Sequence, residues 1–425
     1  MTQENNQTHK DMKNEIRIHL ENPRQLEMLY RTNKSIFKKD FSALYPELRG
    51  NALAEFWNER LHYEADDTSR MTTKDLLFVI VASLLAGIVA KLPAILSLDE
   101  TFFYPRNIGF IVFPFLAAYF AWKNKLSIVK AAAIGAIGLV SLIFINTLPA
   151  DQNSNTLVLS CVHLVVVLWA LTGFAFSGGL KNTEEKRLGY LKYNGDLVVM
   201  TALILIAGGI MTGITIGLFS LLGFSIEKFY FEYVVVIGLP AAPILGTWLI
   251  QTNPTLVGRV SPVIARLFSP LVLVMLVIYL GAILYSGKDP YNDREFLLIF
   301  NALLIGVMAI IFFSVAESAA VAKSKMEIWV LFLLSAVTVV VNGIALSAIL
   351  FRISEWGLTP NRAAVLGGNI LFLINLLLVT VQLYRAVAAK AESNSAGLAI
   401  ARFLPIYVAW AAMVTFLFPF LFSFK

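Results

Sequence analysis

The residues of this chain best suited to chemistry are polar groups set in apolar surroundings. The segment Arg352-Ile-Ser-Glu-Trp-Gly-Leu-Thr-Pro-Asn-Arg362 places two guanidinium groups and one carboxylate beside a turn. Gly357 can take the left-handed backbone that stops a helix, Thr359 can cap the next one, and Pro360 suits its first position. A tight connection between two antiparallel helices follows, with a helix N-terminus presented between Arg352 and Arg362. Backbone N–H groups, the helix dipole and guanidinium forks, with Glu355 and Thr359 alongside, suit an anion or a lipid headgroup. The competing reading has the arginines reaching lipid phosphates or pairing with Glu355, and Trp356 anchoring the interface.

Other polar residues lie inside apolar runs, where each is costly and therefore a candidate for function. Asn342 falls midway along the run before the turn, and Asn369 and Asn375 fall along the run after it. Counted from the turn, Asn342 has a depth between the other two, so the hairpin can hydrogen-bond across its own interface; such amides hold helices together more often than they bind substrates. Lys91, two residues before Pro93, can reach outward or meet Asp99 and Glu100. That acidic pair, with Arg106, carries the only enzyme reading: a base or metal-binding carboxylate acting on a lipid-linked substrate. His163 has no second histidine or carboxylate in its run, so packing is expected rather than metal ligation. Asp196 and Glu317 sit near run ends, where capping or solvation suits them. No Walker motif, Gly-x-Ser-x-Gly elbow, His-Glu-x-x-His or paired-histidine site occurs, so neither cofactor nor metal is expected. The one cysteine, Cys161, lies in an apolar run and supplies no disulfide framework.

These side chains need a scaffold, and composition says which. The 425 residues are 58% hydrophobic and 15% charged, against about 25% charged for soluble domains. Charge gathers in residues 1–74, and the remainder is apolar runs of the length that crosses ~30 Å of hydrocarbon as a helix. The runs do not alternate every second residue, which favours helices over a barrel. The pattern predicts an all-α, polytopic transmembrane bundle of about eleven spans, with 10–12 as the bracket. The expected spans are Leu76–Leu96, Ile108–Trp122, Ile128–Leu148, Leu157–Phe176, Leu197–Leu222, Tyr233–Ile250, Pro262–Tyr285, Phe296–Val315, Ile328–Phe351, Ala363–Tyr384 and Leu398–Phe422. The second is short enough to be tilted or re-entrant, and Pro405 and Pro419 can kink the last. Gly209, Gly213 and Gly217 in the fifth form a small-residue stripe for close packing. Pro240 and Pro243 can break the sixth. The longest loop is expected at Ser177–Asp196.

Loop charges set the orientation. With the N-terminus cytoplasmic, eleven Lys and Arg fall in inner loops and six, Arg106 among them, in outer ones. An odd span count then puts the C-terminal Lys425 on the outer side. The net charge of +6 reflects this loop bias rather than nucleic-acid binding. No secretory signal is present, and the first span is expected to direct insertion. Residues 1–12 read as a disordered tail, 13–73 as a soluble amphipathic helical segment and 74–425 as the membrane domain. Within residues 13–65, Asn22-Pro23 starts a helix, another runs from Ala52 to about Tyr63, and Phe37, Phe41, Phe56 and Trp57 build an apolar face for a protein partner.

The box Arg-x-x-x-Trp-Gly-Leu-Thr-Pro-Asn-Arg, followed by an apolar helix, resembles the hallmark of a bacterial membrane family known as domain of unknown function four-one-five-three. The resemblance implies a polytopic protein of the bacterial inner membrane, whose outer-side C-terminus would be periplasmic, and no particular activity. Three functions are compatible with these residues: first, a small-molecule or lipid carrier or accessory subunit; second, a sensor or assembly scaffold using the N-terminal helices; last, a membrane enzyme.

Overall fold

A computed structural model describes residues 12–67, 73–151, 153–178, 183–221, 224–253, 267–281, 285, 291, 294–318, 325–388 and 395–425. The expected disordered tail lies outside these residues, except for Met12. Two compact units divide the chain at Met71 and Thr72.

The first unit is a small helical domain with its own core. Its helices are α1 (12–18), α2 (Pro23–Thr32), α3 (Lys34–Leu44) and α4 (Ala52–Asp67). Asparagines begin three of them. Asn22 accepts the Gln25 N–H at 3.2 Å with Pro23 behind it, Asn33 accepts that of Ile36 at 3.2 Å, and Asn51 accepts that of Ala54 at 3.1 Å. Each cap satisfies an orphan donor of the first helical turn. Ile16, Leu26, Tyr30, Phe37, Phe41, Trp57 and Leu61 close into one cluster. Phe37, Phe41 and Trp57 are therefore core, and of the expected apolar face only Phe56 is exposed.

The second unit is a bundle, and every regular element among the described residues is helical. In chain order its helices are α5 (Thr73–Leu96), α6 (Glu100–Lys123), α7 (Ile128–Thr147), α8 (Asn155–Ser177) and α9 (Thr183–Leu221). There follow α10 (Glu227–Thr252), α11 (Leu267–Gly281), α12 (Arg294–Ser318), α13 (Lys325–Trp356), α14 (Pro360–Val387), α15 (Ser395–Phe416) and the short α16 (Phe418–Leu421). Helix stands at each of the eleven expected spans. Eight of these helices are long and apolar enough to cross a membrane: α5, α7, α8, α9, α10, α13, α14 and α15. The chain is thus a multi-pass membrane protein. Of the other three, α11 and α12 carry shorter apolar stretches, Leu267–Gly281 and Phe300–Ala316, among the described residues. Helix α6 is diluted by Arg106, Asn107 and two prolines, but its 24 residues run unbroken where a short span was expected.

Four further expectations change. Helix α9 begins at Thr183, so most of the expected long loop is helix. Glu184 and Glu185 suit its N-terminal dipole, and Leu188, Tyr190, Leu191 and Tyr193 bury its early face. The Gly209, Gly213 and Gly217 stripe meets nothing within 4 Å among the described residues. In α10 the helix runs on through Pro240 and Pro243, and its irregularity is instead a π-helical stretch at Tyr230–Val235. Pro405 lies inside α15, which ends at Phe416, and Pro419 belongs to the separate α16.

One apolar cluster joins α9, α11, α12, α13, α14 and α15 through residues such as Phe300, Leu334, Val341, Leu376 and Ile400. A second, rich in rings, joins α5, α6, α8, α9 and α10 through Tyr119, Phe120, Tyr190, Tyr193 and Trp248. These clusters decide which polar groups are trapped inside.

Candidate functional site

The α13–α14 turn forms as its residues dictate. Gly357 takes φ +74°, and the Thr359 side chain accepts the Arg362 N–H at 3.4 Å, with Pro360 opening α14. Arg362 then folds back over the helix it follows. Its Nη1 donates to the Trp356 and Gly357 carbonyls at 2.8 and 2.6 Å, which satisfies acceptors that the end of α13 leaves open. The guanidinium groups of Arg352 and Arg362 both approach the Trp356 ring, 5.0 and 5.7 Å from its centroid. Asn361 donates to Asn155 at the start of α8 at 2.7 Å. Glu355 is exposed and makes no ion pair among the described residues. Arg362, Thr359 and Asn361 of the box are thus spent on holding the joint.

Deeper in the hairpin the three amides part company. Asn369 donates to Asn301 of α12 at 2.9 Å, not to Asn342. Asn342 and Asn375 are both fully buried, and neither Oδ1 nor Nδ2 of either has a hydrogen-bond partner. Asn342 lies 14 residues before the end of α13 at Trp356, and Asn375 lies 15 after the start of α14 at Pro360. At ~1.5 Å per residue both are about 22 Å from the turn, one level of the bundle. Val341, Ala345, Leu376 and Val379, all fully buried, surround that level. The Tyr407 hydroxyl of α15 lies next to Asn375 short of hydrogen-bonding geometry, and itself donates to the Leu371 carbonyl at 3.4 Å. Nearby hydroxyls are satisfied: Thr338 donates to Leu334 at 2.6 Å and Ser335 to Phe332 at 2.9 Å. Leaving one buried amide unsatisfied costs roughly 1–3 kcal/mol, so two at one level call for an explanation.

The remaining candidates are placed as follows. Lys91 does not meet Asp99 or Glu100; its Nζ donates to the Glu232 carbonyl in the π-helical stretch of α10 and sits 3.4 Å from the Tyr233 ring centroid. His163 is half-buried, with Nδ1 2.9 Å from the Leu159 carbonyl. Among the described residues no group of three His, Cys, Asp or Glu side chains could hold a metal. Asp99 caps α6, accepting the Thr101 N–H and hydroxyl, each at 2.8 Å. Those hydrogen bonds hold its carboxyl below the usual range. Asp196 is buried inside α9 rather than solvated at a span end. The side chain of Glu317 lies outside the described residues.

Several polar groups carry no sequence signal of their importance. Asn301 is one. Asn107 and Asn146 are others: they exchange amide hydrogen bonds at 3.0 and 2.8 Å and lock α6 to α7. Arg106, counted with the outer-loop charges, is in fact a buried residue of α6. A partner supplied from elsewhere in the chain decides each case, and spacing cannot report it. The chain matches no family model, no curated protein and no solved structure.

Proposed function

We propose that the chain is a multi-pass carrier for a small, uncharged polar solute, whose binding level lies among α13, α14 and α15. The observation that carries this reading is the pair of fully buried amides, Asn342 and Asn375, with no hydrogen-bond partner at one depth of the bundle. A carrier needs polar groups at mid-membrane that a solute, rather than the protein, satisfies. An amide both donates and accepts, as hydroxyl- or amide-bearing solutes require. The apolar stretches Ile328–Phe351, Ala363–Tyr384 and Phe403–Phe424 hold no charged residue, which favours a neutral solute over an ion. The bias of Lys and Arg among the loops supports a cytoplasmic N-terminus, and the resemblance of the Gly-Leu-Thr-Pro-Asn-Arg box supports a bacterial inner membrane. Membership of the family that the Gly-Leu-Thr-Pro-Asn-Arg box resembles stays part of this proposal.

The test separates a solute site from helix glue. The double variant Asn342→Leu, Asn375→Leu fills the level with apolar atoms. It is expected to abolish uptake of neutral polar solutes by proteoliposomes, screened with polyols and amides, while raising the apparent melting temperature by about 2–4 °C. A lowered melting temperature would show that the amides hold the helices together, and unchanged uptake would remove them from the path.

A further inference from the structure

A further polar group is buried in α6, and it is charged. Arg106 is the seventh residue of α6 and only 4% exposed. Arginine keeps its charge under all ordinary conditions and offers five N–H donors. Here Nη2 donates to the Pro149 carbonyl at 3.2 Å and Nη1 to the Phe102 carbonyl at 3.4 Å, while Nε has no partner. The guanidinium carbon lies 4.1 Å from the Phe102 ring centroid. Both carbonyl contacts are long beside the ~2.7–2.9 Å typical of charge-assisted bonds. No carboxylate pairs with Arg106 among the described residues. The nearest acids in sequence are otherwise engaged or turned to solvent: Asp99 caps α6, Asp151 accepts the Asn153 N–H at 2.9 Å, and Glu100 is exposed.

A buried charge without a countercharge is strongly unfavourable, and two carbonyl dipoles do not neutralise it. The N-terminus of α6 adds positive potential at the same end of the helix. We propose that Arg106 holds an anion of the phosphate class, with its buried, unpartnered Nε as the unfilled half of a guanidinium fork. Phosphate matches such a fork with two parallel hydrogen bonds. The Phe102 ring fixes the plane of the guanidinium, and the Asn107–Asn146 lock keeps α6 and α7 together beside it. Inorganic phosphate and a lipid headgroup share this chemistry. The site is independent of the amide level in α13 and α14 and stands or falls separately.

The full chain, purified in an uncharged sugar detergent, supplies the test. Its melting temperature is measured with inorganic phosphate, with short-chain phosphatidylglycerol, and with chloride at equal ionic strength. The wild type is expected to gain several degrees over chloride. A response to inorganic phosphate assigns a free anion, and a response to phosphatidylglycerol alone assigns a headgroup. Arg106→Gln should lose that gain while melting at or above the wild type in chloride, because the unbalanced charge is gone. If Arg106→Gln does not accumulate, Arg106→Lys carries the test. It keeps the charge but loses the fork, and should need about threefold more anion for the same gain. No anion-specific gain in the wild type, or an undiminished one in either variant, overturns the proposal.

Discussion

The two levels of the α13–α14 hairpin treat their polar side chains in opposite ways. At the turn, Arg362 closes on two carbonyls, Thr359 caps α14 and Asn361 reaches across to Asn155. About 22 Å further in, the same two helices bury Asn342 and Asn375 with every side-chain donor and acceptor open. One level spends its polar groups on making the structure, and the other withholds them. A conspicuous motif and an unsatisfied polar group therefore need not coincide: the Gly-Leu-Thr-Pro-Asn-Arg box stands out because a tight turn needs those residue types, whereas two asparagines among leucines and valines stand out only once their partners are sought.

Substitutions can break this contrast. The largest loss of stability is expected from Arg362→Ala, which exposes two helix-end carbonyls and removes two hydrogen bonds from a charged donor, at about 2–3 kcal/mol. Chemical denaturation should show that loss, and the remaining folded protein should transport normally. If transport failed at normal protein level, the turn would be more than a joint. A smaller effect is expected within the membrane. Asn369→Leu strands its hydrogen-bonded partner Asn301 and should cost about 1–2 kcal/mol, opposite in sign to the same change at Asn342 or Asn375. Equal signs at all three positions would erase the distinction between glue and site.

The smallest effect lies in the N-terminal unit. The Arg60 guanidinium and, after it, that of Arg31 hold the Glu27 carboxyl below its usual value, with contacts of 2.7 Å each. A depressed carboxylate contributes stability above its unfolded pKa near 4.5, and loses it as pH falls through the lower folded value. Hydrogen exchange in the full chain should show helices α2 to α4 loosening as the pH falls below that value, by under about 1 kcal/mol for so solvated a cluster. The α13–α14 turn, held by an arginine on neutral carbonyls, should keep its protection over the same range. Loss of protection at the turn instead would show that more than an arginine on neutral carbonyls holds it.

What could be read from the sequence was local. Gly357, Thr359 and Pro360 define their turn through backbone rules, and so do Asn22 and Pro23 at the start of α2. Apolar run length placed a helix at each expected span. The rest depends on which residues meet across the chain. Phe37, Phe41 and Trp57 show a helical face by spacing, but only the folded unit shows that its own helices cover it. Helix α9 hides its first turns behind charged residues because its buried face there belongs to tyrosines and leucines spread among them. Arg106 looked like a loop charge because the atoms that bury it come from Phe102 on its own helix and from Pro149, 43 residues on. The amides gave a fair depth and a mistaken partner, since Asn301 lies 68 residues from Asn369.

The most direct measurement of the carrier account is the melting temperature of the Asn342→Leu, Asn375→Leu protein beside the wild type, both purified without added solute. Two amides that the fold leaves unsatisfied should be a burden in the empty protein, so the account predicts a rise of about 2–4 °C. A fall would mean that these side chains hold the bundle together, and the site assigned to them would be lost.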